Sequence, residues 1–210
     1  MKTSNRLLII LLLVFVQQYS NAQINQQLSH LIDSLYKADQ GTALIRPSDS
    51  AAAAYQRVIR SNFPLVKKIL NEHGFPGYQM VGKESSGNYF LLVQHSDFDV
   101  AFQKRVLPLM KAEVDNNNAS GATYAYLVDR INLNEGREQV YGTQVIMEQS
   151  GTRLKPCMDT INLDKRRLAV GLSPIKDYLK KCDEVFFEMN KDRMKPTEKQ
   201  AVDSIKKNER

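Results

Sequence analysis

Apolar residues three and four apart run through most of this chain, and that spacing points to a helical fold. Ile24, Leu28, Leu31, Ile32 and Leu35 mark one amphipathic stripe and predict a helix over about 24–39. Residues 41–47 break it. Ser48 or Asp49 can cap a second helix, entered through the strong helix formers Ala51–Ala54. Pro64 either kinks that helix or starts a new one capped by Asn62, and Gly74 with Pro76 ends it. Residues 75–83 read as a loop or a short extended piece. Helix resumes over Ser85–His95. Asp99 is the expected N-cap of a further helix to about Val114, on Phe102, Val106, Leu109 and Met110, with Pro108 predicting a kink or split. Ser120 caps a helix to about Leu133, with Tyr124, Leu127, Val128 and Ile131 inward, and Gly136 stops it. Residues 139–155 alternate loosely and are rich in Tyr, Val, Ile and Thr, which predicts one β-hairpin turning at Ser150-Gly151. Asp164 caps a short helix ending at Gly171, and Ser173-Pro174 opens a long one to about Asn190. The expected fold is mainly α: a single domain over residues 23–190, six to seven helices and one small hairpin.

The first 22 residues stand apart. Lys2 and Arg6 precede an uninterrupted apolar run, Leu7–Val16, and Ser20-Asn21-Ala22 supplies small residues at the −3 and −1 positions of a cleavage site. A spanning helix needs about 20 apolar residues, so this order predicts a cleaved signal peptide and a mature chain beginning at Gln23. The expected location is periplasmic or secreted, with no stable membrane anchor after cleavage.

Cleavage changes the charge. The full chain has 29 Lys+Arg against 23 Asp+Glu. Without Lys2 and Arg6 the balance is 27 against 23, or +4. Residues 191–210 hold seven of those bases and read as a solvated charged tail. No concentrated basic face with interleaved aromatics exists, so nucleic acid is not an expected partner. Export also makes Cys157 and Cys182 a candidate disulfide, closing a loop worth about 3 kcal/mol on the chain-entropy argument. Asp-Ser/Thr-aliphatic triplets at Asp33, Asp49, Asp159 and Asp203 resemble O-glycosylation sites of exported bacterial proteins.

Chemistry-bearing side chains concentrate in two segments. The first is Gln94–Gln103, where His95 is followed by Asp97 and Asp99. A His beside a carboxylate serves as a general base or as part of a metal set. Equally, the two Asp can be helix caps with His95 bonded to one of them. The second segment joins Asp129 and Arg130 to Asn134–Gln144. Arg130 or Arg137 suits an anionic group, while Gln139, Tyr141, Thr143 and Gln144 suit a neutral polar ligand. The same residues can instead form a network pinning the hairpin to the helices. Glu135-Gly136 at a helix end before a hairpin resembles the acid of phage-type lysozymes, although the Gly-rich strand that follows in those enzymes is missing. The chain has no nucleophile elbow, phosphate loop or dinucleotide fingerprint, and no cofactor or metal is expected. The candidate set is therefore His95, Asp97, Asp99 and Glu135 for catalysis, with Gln103, Asp129, Arg130, Gln139, Tyr141, Thr143 and Gln144 for a small polar or cell-envelope ligand. A non-enzymatic envelope interaction or immunity-type protein is the alternative.

Five blocks resemble an uncharacterised bacterial domain family: Gly74-Phe75-Pro76, Gln94–Gln103, Leu127–Arg130, Gln139–Gln144 and Arg166–Pro174. The resemblance spans about residues 62–180. It carries no activity, but it implies that the two polar segments belong to one surface.

Overall fold

The computed structural model describes residues 24–43 and 49–191. The expected signal peptide and nearly all of the charged tail lie outside the described residues. Seven α-helices and one two-stranded sheet are found among those described: α1 (Gln26–Ala43), α2 (Asp49–His73), α3 (Tyr78–Gln94), α4 (Val100–Asp115), α5 (Gly121–Asn134), β1 (Val145–Ile146), β2 (Arg153–Leu154), α6 (Leu163–Ala169) and α7 (Ile175–Asn190). A 3-10 turn, Thr160–Asn162, precedes α6. The fold is mainly α, as the apolar spacing requires.

The core lies among α1 to α5. Leu28, Ile32 and Leu35 of α1 meet Phe63, Val66, Ile69 and Leu70 of α2, and Tyr89, Phe90, Leu92 and Val93 of α3. Phe102, Val106 and Met110 of α4 and Leu127 and Ile131 of α5 complete it. Leu31 and Leu109, which the spacing placed inward, sit at its edge and are partly exposed. Buried polar side chains tie the helices together. Asn62 Nδ2 donates to Leu35 O at 3.1 Å, and the Tyr89 hydroxyl donates to Val66 O at 2.9 Å.

Several local expectations change. Pro64 and Pro108 each sit inside an unbroken helix. The stretch expected as loop, 75–83, contains a first helical turn of α3 that begins after Gly77 and is interrupted at Gly82 (φ +82°). Gly77 packs so tightly against Asn118 that a Cβ there would lie 2.3 Å from Asn118 Nδ2. Asp99 and Ser120 are N-caps as expected, accepting from Phe102 N and Thr123 N. Asp164 does not cap α6. Asp159 caps the 3-10 turn instead, and Asp164 Oδ1 accepts from Ile175 N at 2.7 Å. Pro174, expected at N1 after a Ser173 cap, is itself the N-cap of α7.

The hairpin is much shorter than 139–155. Only Val145–Ile146 pairs with Arg153–Leu154, antiparallel. Residues 139–144 form a loop, touching the hairpin region through a bridge from Gln139 to Cys157. The expected Cys157–Cys182 disulfide is also corrected, since both thiols are free. Cys157 Sγ donates to Met158 O at the end of that loop region, whereas Cys182 hydrogen-bonds with Tyr178 on α7. The backbone holds them on separate elements, and a disulfide demands close, specific Cα and Cβ separations.

Candidate functional site

The two polar segments do different things in three dimensions. In the first, the α3–α4 junction carries His95, Asp97 and Phe98 to the wall of a cleft of about 420 Å³. Tyr55, Gln56 and Ile59 of α2 form another wall, and Arg130 of α5 closes it. That volume falls in the range of small-molecule sites, about 300–1,000 Å³.

His95 is held from behind. Its Nδ1 lies 2.8 Å from Oδ2 of Asp39, a carboxylate on α1 that is only 1% exposed. Gln40 Nε2 donates to the same oxygen at 2.8 Å. An ionised Asp39 can only accept hydrogen bonds, and that state assigns the proton of this contact to Nδ1. The imidazole itself retains 21% of its exposure, so the ring reaches from a buried anchor to the cleft. Tyr55 stands edge-on to the ring, with centroids 5.9 Å apart. Burial, followed by the negative charges of Asp39 and Asp97, pushes the Tyr55 hydroxyl up to about 12 despite the opposing Arg130 charge. Tyr55 is therefore a neutral proton donor at physiological pH.

Asp97 is the second fixed group. One oxygen pairs with Arg130 Nη1. The other accepts from Gln103 Nε2 at 3.1 Å and Asn134 Nδ2 at 3.4 Å. Gln103 is fully buried and also donates to Val93 O and Gln94 O, so it ties the junction to the start of α4. Three buried polar atoms around this junction have no partner among the described residues: Gln94 Oε1, Gln103 Oε1 and Arg130 Nε. Buried polar groups are satisfied in the great majority of cases, and of these three only Arg130 Nε belongs to a residue lining the cleft. Arg60 lies over the Phe98 ring, 4.3 Å from its centroid, and fixes that wall.

The second segment is organised around Asp129, which is 0% exposed. Its carboxylate accepts from the backbone N–H groups of Val140 (2.7 Å), Tyr141 (2.9 Å) and Thr143 (2.9 Å) and from the Thr143 hydroxyl (2.9 Å). Successive N–H groups converging on one anion form a backbone nest. The turn needs Gly142 in the left-handed region, φ +64°, where an added Cβ would meet Leu163 at 3.2 Å. Gln139 is equally committed. It donates to Gln144 O and Lys155 O and accepts from Gln144 N, each at 2.9 Å. Gln144 Nε2 donates to Thr143 Oγ1 at 3.2 Å.

Two arginines seal this loop. Arg167, only 1% exposed, donates to Ser173 O, Tyr141 O and Gly142 O. Arg166 reaches Val140 O, Met158 O and Asp159. The Tyr178 hydroxyl closes the set by donating to Thr143 O at 2.7 Å. Burial also raises the Tyr141 hydroxyl.

Asp99 acts as the α4 cap through its bond from Phe102 N. Glu135 is paired with Lys104 and Arg137, whose hydrogen bonds hold its carboxyl below the usual range. A glycosidase acid needs the opposite shift. Among the described residues no group of three or more His, Cys, Asp or Glu is gathered to hold a metal ion.

Of the sequence candidates, His95, Asp97 and Arg130 are brought to one cleft. Sequence reasoning missed Asp39, Tyr55, Gln56, Ile59 and Phe98 there, and Arg166 and Arg167 around the loop. Asp39 did carry a signal: Leu28, Ile32, Leu35 and Asp39 share one helical stripe, so a carboxylate continues an apolar face.

The model of one family, described as a family of unknown function (DUF6624), matches residues 49–190. No curated protein and no solved structure matches the chain.

Proposed function

The chain belongs to DUF6624, a family of unknown function. We propose that it is an exported protein that binds a small polar ligand in the cleft around His95. The observation that carries this reading is His95 itself: an imidazole anchored by a buried carboxylate and lining a cleft together with Tyr55, Asp97 and Arg130. Asp97 and Arg130 supply an anionic and a cationic recognition group. Tyr55 supplies a neutral donor, and Phe98 and Ile59 supply apolar wall. Ligand sites commonly combine such a few polar groups with apolar lining.

Native mass spectrometry of protein recovered from the envelope of expressing cells tests the proposal. The expected result is a co-purified adduct of small-molecule mass, lost in His95→Gln and Arg130→Gln. An adduct retained in both variants, or none in the wild-type protein, contradicts it. The same spectrum reports cleavage after Ala22.

A second reading, an envelope interaction protein without chemistry, draws on Ile161 and Leu168. These are 94% and 61% exposed on the 3-10 turn and α6. If it holds, Ile161→Asp removes partner binding and leaves the His95 cleft unaffected.

A further inference from the structure

We infer that the cleft is a general-base site in which Asp39 positions His95, and His95 Nε2 draws the proton from a water that attacks an acyl carbonyl. This rests on the reading of the cleft as a ligand site and adds a reaction class to it. Four observations lead there. Asp39 Oδ2 meets Nδ1 at 2.8 Å, and an ionised carboxylate there assigns the hydrogen to Nδ1. In neutral imidazole the other nitrogen, Nε2, is then the basic one. The ring is anchored in the interior yet keeps access to the cleft. Finally, Arg130 and Tyr55 line the same cleft as donors, and Arg130 Nε is buried without a partner among the described residues.

The step balances without any further reagent. Water gives one proton to His95 Nε2 while its oxygen bonds to the acyl carbon. The carbonyl π pair moves onto oxygen, where donors such as Arg130 and the Tyr55 hydroxyl offset the charge. When the carbonyl reforms, the bond to the leaving alcohol oxygen breaks, and that oxygen takes the proton from Nε2. The products are a carboxylic acid and an alcohol, and His95 is neutral again. The imidazolium present between these events lies against Asp39. In this scheme His95 is the catalytic residue and Asp39 a positioning residue.

Two measurements on the full mature chain test the inference. Long-range proton–nitrogen NMR of the labelled protein, at a pH where His95 is neutral, reads the tautomer. The expected spectrum has a protonated Nδ1 and a bare Nε2 at His95, with the two forms mixed in Asp39→Asn. A protonated Nε2 in the wild-type protein overturns the inference. Hydrolysis of p-nitrophenyl acetate reads the base. His95→Gln is expected to lose on the order of 100-fold or more of the rate, the usual worth of a general base. Asp39→Asn lowers kcat with KM little changed. Equal rates for wild type and His95→Gln overturn the inference. An adduct retained by native mass spectrometry alongside either failure leaves ligand binding standing and removes only the catalysis.

Discussion

Asp39 and Asp129 are both buried carboxylates, yet they organise their surroundings in opposite ways. Asp129 spends its oxygens on three backbone N–H groups and a threonine hydroxyl. None of those partners changes state at ordinary pH, and the result is a loop held by a saturated carboxylate. Asp39 spends Oδ2 on the imidazole of His95, the side chain type that changes charge near neutrality. The difference teaches that burial alone does not make a carboxylate functional. What matters is whether its partner can exchange a proton and still reach solvent.

The largest expected effect comes from breaking the saturated side. Asp129→Ala leaves three backbone donors and a hydroxyl without their acceptor, and should cost about 3–5 kcal/mol, the scale for breaking a buried charged network. Urea denaturation checks it. Arg167→Met removes three donors from the outer shell of the same loop and should cost about 2–3 kcal/mol, again read by urea. Loss of less than about 1 kcal/mol in either variant would remove the claim that this loop is held by a polar network.

The Asp39 side should respond less in stability and more in chemistry. Asp39→Asn is expected to cost about 1–2 kcal/mol, because an amide still accepts from Nδ1 but without charge assistance. His95→Gln keeps a donor for Asp39 and should change stability by about 1 kcal/mol or less, while abolishing adduct binding. A variant that instead melts like Asp129→Ala would make His95 another structural residue and erase the contrast.

Smaller still is a pH effect at Tyr55. Its hydroxyl is raised from 10.0 to about 12, chiefly by burial. Between those values the folded chain keeps a proton that the unfolded chain releases. The unfolded state thus binds fewer protons, and this contribution to stability is lost as pH rises through that window. Ultraviolet titration of tyrosinate, with Tyr55→Phe as the difference, checks it. Asp39→Asn should bring the Tyr55 transition down by removing one of the charges that raise it. At the bottom of the scale is Glu135→Gln. It removes a solvent-facing partner of Lys104 and Arg137, and no change in ligand adduct or unfolding midpoint is expected from native mass spectrometry and urea melts.

Much of the fold was legible because helix formation is local. The three-and-four spacing, the Asp99 and Ser120 caps and the stop at Gly136 depend on neighbours within a few positions. Residues 139–144 misled because their alternation of side chains mimics a strand, whereas the Asp129 carboxylate, ten or more positions earlier, captures the backbone donors a strand would have used. The two cysteines misled for a related reason: an expected oxidising compartment argues for pairing, but only the tertiary fold sets their separation. In the site, His95 and Asp97 were visible as a local cluster. Asp39 lies 56 positions from His95 and Tyr55 forty, so no spacing rule joins them. The carboxylate on the α1 apolar stripe was the available clue, and it points to a buried partner without saying which one.

The contrast between the two aspartates predicts where a ligand binds, and chemical-shift mapping tests it most directly. Nitrogen-labelled protein would be titrated with a mixture of monosaccharides, amino acids and short peptides. Shifts centred on Tyr55, His95, Asp97 and Arg130 are expected, with the amides of Val140, Tyr141 and Thr143 unmoved. Shifts centred on residues 139–144, or none in the cleft, would contradict it.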